Sequence, residues 1–358
     1  MIQKNSEYMN WAKVSSSARY NLARSGMLHY PLSQLPVRLQ ELEITGEGTY
    51  GYEPLKRALS ARFQVSTDSI VTAAGTSMAN HLAMASLLEP GDEVLIETPV
   101  YEPILAVARY LGARVKSFSR SFENEFRIDL QTIEQQISSQ TKLIVLTNLH
   151  NPSSVLTDRE TLQQVGLIAQ NVGAHLLVDE VYLDSVFDPP QPTSFHLGNE
   201  FIVTSSLTKV YGLSGLRCGW ILADPVIAEK MWLLDDLFAA SPVYVAQQLS
   251  VIALANLNEI KKRTQALLAE NRAMLYTFYN SRSDLTAART RFGTTSFPQW
   301  DKGNVDRLCT LLRHKYETSV VPGRFFGMEN HFRLGLPCEK EEFREGLVRL
   351  GRALDELK

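Results

Sequence analysis

A chain of 358 residues, 44% hydrophobic and 21% charged, has room for more than one domain and a sizeable core. Its 36 basic and 39 acidic side chains leave a net charge of −3 without any block of like charges, which excludes a surface built to grip nucleic acid or an anionic membrane. Cys218, Cys309 and Cys338 are scattered, with neither a disulfide framework nor a zinc spacing, and the polar start MIQKNSEYMNWAK has no export core, so a soluble cytoplasmic enzyme is expected.

No repeat and no low-complexity segment interrupts the chain. Short β-rich runs fall at 70–74, 93–97, 113–118, 142–147, 175–179, 201–205 and 218–223. Several are apolar on both parities, as in strands covered on both faces. Helical patterns lie between them. One covers residues 77–88 and stops before Pro90-Gly91. Another opens on Thr157-Asp-Arg-Glu160, which reads as a capping box with Thr157 as the cap. Leu162, Val165, Ile168 and Val172 follow at helical spacing, and Gly173 ends the pattern. Strands alternating with helices predict a mainly parallel sheet. After about Ser241 the pattern changes to a long helical stretch, short β-like runs at 318–321 and 332–336, and a last helix with Phe343, Leu347, Leu350 and Leu354 on one face. The expected division is a large α/β domain over 45–241 and a smaller α+β domain formed by 1–44 with 242–358.

Four local features bear on chemistry. Gly75-Thr76-Ser77-Met78 joins a strand to a helix, where free N–H groups and hydroxyls suit a phosphate, although a plain capped turn has the same composition. Asn151-Pro152-Ser153-Ser154 follows an apolar strand and is, by itself, an ordinary turn. Asp179-Glu180-Val181-Tyr182 closes another apolar strand, placing a carboxylate either where α/β sheets bind ligands or as a helix cap. Lys209 sits in a small, hydroxylated, glycine-rich segment from Ser206 to Gly219 that also holds Arg217. A lysine short of solvation loses basicity and becomes a usable nucleophile, whereas most lysines are simply solvated.

In this order the four features resemble the class I/II aminotransferases, pyridoxal phosphate (PLP) enzymes of the aspartate-aminotransferase fold type. The likeness extends through Tyr50-Gly-Tyr-Glu-Pro-Leu-Lys-Arg, Glu89-Pro-Gly-Asp-Glu-Val, Glu97-Thr-Pro-Val-Tyr101, Val321-Pro-Gly-Arg-Phe-Phe-Gly327 and His331-Phe-Arg333-Leu-Gly, nearly the whole chain. It implies fold type I, a three-layer sandwich around a mainly parallel seven-stranded sheet, with a smaller α+β domain. It implies Lys209 as the Schiff-base lysine and proton carrier, Asp179 on the pyridine nitrogen, and Tyr182 and Asn151 on the ring's 3′-oxygen. Tyr101 would stack on the ring. Thr76, Ser77, Ser206 and Arg217 would hold the phosphate, with Tyr50 or Tyr52 reaching a neighbouring subunit's phosphate. Arg333 would clamp the substrate α-carboxylate, and Gly26 and Asn151 would also face the substrate. A homodimer with shared sites follows, acting on an amino acid and a 2-oxo acid.

The chain departs from the family at Ser154, where a glycine is usual, and at Cys218, which replaces an aliphatic residue. Arg24 is a candidate for an acidic substrate group or an exposed structural residue, and residues 292–297 are candidates for the pocket wall. Other readings of the scaffold are a PLP-dependent lyase, decarboxylase or cyclase, or a non-catalytic PLP-binding regulator. Too few residues precede Gly26 for a DNA-binding module of the kind such regulators carry.

Overall fold

The computed structural model describes residues 4–47 and 49–357. The first three residues of the expected small domain therefore lie outside the described part. The chain opens with α1 (Glu7–Val14), β1 (Tyr20–Asn21) and α2 (Glu53–Phe63). Strands and helices then alternate: β2 (Ile70–Ala74), α3 (Thr76–Ala85), β3 (Glu93–Thr98), α4 (Glu102–Tyr110), β4 (Arg114–Ser119), α5 (Leu130–Gln136), β5 (Thr141–Thr147), α6 (Arg159–Asn171), β6 (His175–Asp179), β7 (Phe201–Ser206), β8 (Cys218–Leu222) and α7 (Pro225–Asp235). All seven expected strands are present. They form one sheet in the order β2-β8-β7-β6-β5-β3-β4. Only β8 runs antiparallel to its neighbours β2 and β7.

Residues of alternate parity point to opposite faces of this sheet. Leu143, Val145, Leu177 and Ile202 pack with Ala79, Leu82 and Ala83 of α3, Ile104 of α4 and Met231 of α7. Ile144, Leu146, Leu176 and Val178 pack on the other face with Leu162, Val165 and Ala169 of α6. Each such Leu, Ile, Val or Met side chain, fully buried, contributes about 1.5–3 kcal/mol. Helices on both faces of one sheet make the three-layer α/β sandwich.

The remaining elements are α8 (Tyr244–Ala255), α9 (Leu257–Asn280), β9 (Leu285–Thr286), β10 (Thr295–Ser296), β11 (Gln299–Trp300), α10 (Val305–Lys315), β12 (Thr318–Ser319), β13 (Val321–Pro322), β14 (Phe332–Gly335) and α11 (Lys340–Glu356). The expected single β run at 318–321 is thus two short strands. β12 pairs with β1, while β13 pairs with β14. Phe343, Leu347, Leu350 and Leu354 of α11 enter a separate apolar cluster with Leu268 and Leu275 of α9 and Leu308 of α10.

The start of α6 corrects the expected capping box. Asp158, not Thr157, is the cap, and its side chain accepts from the Thr161 N–H at 2.8 Å. Thr157 is drawn inward instead: its Oγ1 accepts from Arg120 at 3.2 Å and its N–H donates to Asn148 Oδ1 at 3.0 Å. Helix α3 likewise begins one residue earlier than expected, at Thr76, and ends at Ala85.

Candidate active site

The loops after β2, β5, β6 and β7 bring the chemistry-bearing residues to one end of the sheet, the carboxyl end of its parallel strands. After β2, Gly75 adopts φ +79°, a left-handed conformation that suits glycine, and starts α3. A Cβ on the opposing Gly219 would lie 2.5 Å from the Gly75 carbonyl carbon, so the strand pair can close only with glycine there. Thr76 Oγ1 donates to Ser206 Oγ at 2.8 Å, joining the helix start to the end of β7. Arg217 lies across the same turn, its Nη2 donating to Ala74 O at 2.8 Å. Ser77 is exposed in the first turn of α3. Hydroxyls, a helix N-terminus and a guanidinium therefore meet at one turn, a setting matched to phosphate.

Asp179 ends β6 and is 4% exposed. Asn80 Nδ2 donates to its Oδ2 at 2.8 Å and the Val181 N–H to its Oδ1 at 3.0 Å. Asn80 is held in turn by Thr204 Oγ1, which donates to its Oδ1 at 2.5 Å. Burial pushes the Asp179 carboxyl up to about 6, against the pull of these bonds and of Lys209. A cation brought to this carboxylate would restore its ionised form.

Lys209 Nζ donates to Ser25 Oγ at 3.0 Å. Desolvation lowers its pKa, helped by Arg333 and Arg217 and opposed by Tyr8 and Asp179. Gly26 packs on it, since a Cβ there would touch Lys209 Cδ at 3.4 Å. Tyr182 is buried and shares Ser25 as a hydrogen-bond partner. Ser25 thus links the N-terminal segment to the lysine, and Thr294 Oγ1 fixes it by donating to its carbonyl at 2.8 Å.

Arg333, on β14, is fully buried. Its Nη1 donates to Asn151 Oδ1 at 3.0 Å and its Nη2 to Tyr8 OH at 2.8 Å and Ala23 O at 3.3 Å. Its Nε has no partner among the described residues. A buried guanidinium with an unused donor is suited to a carboxylate. Asn151 is held from behind by Thr147 Oγ1, which accepts its N–H at 2.9 Å and itself donates to Glu97 at 2.7 Å. The turn that carries it places Ser154 at φ +63°, taking the left-handed conformation without glycine. Its hydroxyl packs on Thr295 at 2.9 Å. Tyr101 caps the start of α4 beside Tyr8, the two rings edge to face at 5.4 Å.

Tyr50 stands apart from this cluster. It is 48% exposed and donates to Asp236 at 2.9 Å. Tyr52 packs against Tyr244 at 5.1 Å. Arg24 is exposed, and Cys218 is buried. Sequence reasoning missed Tyr8, Ser25, Asn80 and Thr204. Of these only Asn80 left a signal, an amide among the mostly apolar residues 78–85 of α3.

A carboxylate for a ring cation, a lysine of lowered basicity and a phosphate cradle fit pyridoxal phosphate, and together with the sandwich they define a PLP enzyme of fold type I. The chain belongs to the class I and II aminotransferases, whose family model matches residues 43–350. It is 28% identical over 350 residues to capreomycidine synthase of Streptomyces vinaceus, covering 94% of this chain and 90% of the relative. It is 24% identical over 333 residues to aspartate aminotransferase of Sulfurisphaera tokodaii, covering 86% of this chain and 82% of that one. The crystal structure of a PLP-dependent aminotransferase from Streptococcus suis superposes with a TM-score of 0.94 at 28% identity, covering 100% and 99% of the two chains. The protein is a pyridoxal-phosphate-dependent aminotransferase, working on an amino acid and a 2-oxo acid.

Proposed function

We propose that transamination runs on Lys209, with Asp179 and Arg333 fixing cofactor and substrate on either side of it. When bound, pyridoxal phosphate supplies an aldehyde for amines and a ring that accepts electrons. Asp179 keeps the ring nitrogen protonated. Thr76, Ser77, Ser206 and Arg217 hold the phosphate, and Tyr101 supports the ring face. Tyr182 and Asn151 would donate to the ring's 3′-oxygen. Arg333 binds the α-carboxylate of the substrate, with Gly26 and Asn151 beside it, which orients the Cα–H bond. With the cofactor bound, Lys209 Nζ would take the Cα proton and hold it as an ammonium, the form from which it can hand the same proton back. Desolvation lowers its basicity, which favours the neutral amine that a base must be.

The observation that carries this reading is the convergence of Lys209, Asp179 and Arg333, from three distant parts of the chain, on one buried site. It also weighs against a non-catalytic regulator. The substrate-side part is taken as 1–44 with 242–358, set against a cofactor domain over 45–241.

A homodimer with shared sites belongs to the same reading. Leu39, Ile44, Leu237, Phe238 and Val243 are exposed apolar side chains. A cavity of about 260 Å³ beside Arg217 is walled by Ala239, Pro242, Val243 and Ala246. A second copy would cover these surfaces and bring its Tyr50 or Tyr52 to the phosphate. A cytoplasmic location accords with three cysteines that form no disulfide.

The likeness to capreomycidine synthase supports a second reading, in which another PLP reaction, such as elimination, decarboxylation or cyclisation, runs on the same residues. Single amino acids added to the holoprotein separate the two. Transamination changes the cofactor absorbance stoichiometrically, and a 2-oxo acid reverses the change. Release of ammonia or CO₂ without a second substrate would establish the other reading.

A further inference from the structure

Helix α1 carries into the site a residue that no motif marks. Tyr8 is 7% exposed, and its oxygen accepts from Arg333 Nη2 at 2.8 Å. Its ring is set edge to face with Tyr101 at 5.4 Å and with Phe325 at 5.7 Å. The Arg333 guanidinium lies 5.5 Å from the Tyr8 ring centroid and 5.2 Å from that of Phe326. The helix is fastened on both sides of Tyr8. The Ser6 hydroxyl donates to Glu102, and the Tyr101 hydroxyl meets Met9 Sδ at 3.2 Å. The phenol is thus held in one place, on the guanidinium and within electrostatic reach of Lys209, whose charged form it favours.

Two donors are left over at this point. The Tyr8 oxygen accepts from Arg333, and its own proton has no acceptor among the described residues. The buried Nε–H of Arg333 has none either. A carboxylate has two oxygens to offer such a pair, and hydrogen bonds to a charged acceptor in a buried site are the strong ones.

We propose that Tyr8 completes the α-carboxylate clamp: its hydroxyl donates to one carboxylate oxygen while Arg333 takes the other. This rests on the assignment of Arg333 to the α-carboxylate, and makes the N-terminal helix part of the substrate site.

The test compares the full-length holoprotein with its Tyr8→Phe and Arg333→Lys variants. Phenylalanine keeps the ring contacts with Tyr101, Phe325 and Phe326, so the melting temperature and bound cofactor stay at the wild-type level. The KM values for amino acid and 2-oxo acid rise roughly ten- to a hundredfold, as loss of one hydrogen bond to a charged group requires, with a much smaller change in kcat. Propionate, a probe with only the group in question, binds more weakly by a similar factor in calorimetry, and Arg333→Lys weakens it too. Unchanged KM values and propionate affinity in Tyr8→Phe would overturn the proposal. So would a loss accompanied by an equal fall in melting temperature, which marks a purely structural role. If wild-type protein exchanges no amino group at all, the transamination reading fails instead. If propionate binding ignores Arg333→Lys, the assignment of Arg333 fails.

Discussion

Replacing Arg120 with methionine should destabilise the protein by about 4 kcal/mol. Arg120 and Glu97 are a fully buried ion pair at 2.9 Å, each with no exposed side-chain surface. Arg120 also donates to Phe126 O at 2.6 Å and to Thr157 Oγ1 at 3.2 Å. Its charged bond is worth about 2 kcal/mol and each neutral one about 1 kcal/mol, which agrees with the roughly 3–5 kcal/mol lost when one partner of a buried pair is removed. Burial already pushes the Glu97 carboxyl up and the Arg120 guanidinium down, so without Arg120 only the two Thr147 hydrogen bonds favour the ionised Glu97. The effect reaches the site, because Glu97 Oε1 also holds Thr147, whose hydroxyl anchors Asn151. Thermal unfolding of the holoprotein followed by circular dichroism should show a fall of roughly 5 °C for Arg120→Met. Adding Glu97→Gln, which keeps an acceptor for Thr147 but removes the stranded charge, should recover at least about half of it. A single variant that melts within about 2 °C of wild type would refute this account of the buried pair.

Three further outcomes follow from the same contacts. Lys209→Ala should lower turnover by roughly 10²–10⁴-fold or more while melting changes little, as measured by single-turnover kinetics. Arg217→Met should weaken retention of pyridoxal phosphate roughly ten- to a hundredfold on dialysis, because one charged phosphate contact is lost while the core is untouched. His331 is buried with neither ring nitrogen partnered among the described residues, stacked on Phe297 at 4.9 Å, and burial lowers its pKa from 6.5 to about 4 although Asp301 and Glu123 pull the other way. Its contribution to stability is complete above pH 6.5, where the unfolded chain is also neutral, and is lost as pH falls through about 4. His331→Phe should therefore flatten the fall in melting temperature across that window, and an unchanged acid limb would show that another group is responsible.

The sandwich was legible because burial on two faces leaves its mark on every strand: Leu143 to Leu146 is apolar at each position and feeds both layers in turn. The strand ends were legible because Asp179 closes an apolar run and Asn151 and Lys209 come within four residues of one. What the sequence hid depends on contacts over long separations. Nothing around Tyr8 distinguishes it from Trp11 on the same helix, and its role appears only when β14 brings Arg333 beneath it. Thr157 has the chemistry of a helix cap and sits beside one, but Arg120 and Asn148 take it inward and leave the cap to Asp158. Ser154 keeps a turn usually given to glycine, because Thr295 from a distant strand supports its hydroxyl. Asn80 could have been found, since a buried amide on an apolar helix needs a partner, though nothing local named Asp179 as that partner.

The central claim is that Lys209 is the residue on which the cofactor is carried. Reducing the purified holoprotein with borohydride, digesting it and locating the cofactor by mass spectrometry tests this directly. The account predicts a single modified peptide, with the reduced cofactor on Lys209 and displacement of that label when a reactive amino acid is added before reduction. A label on any other lysine, or on none, would contradict it.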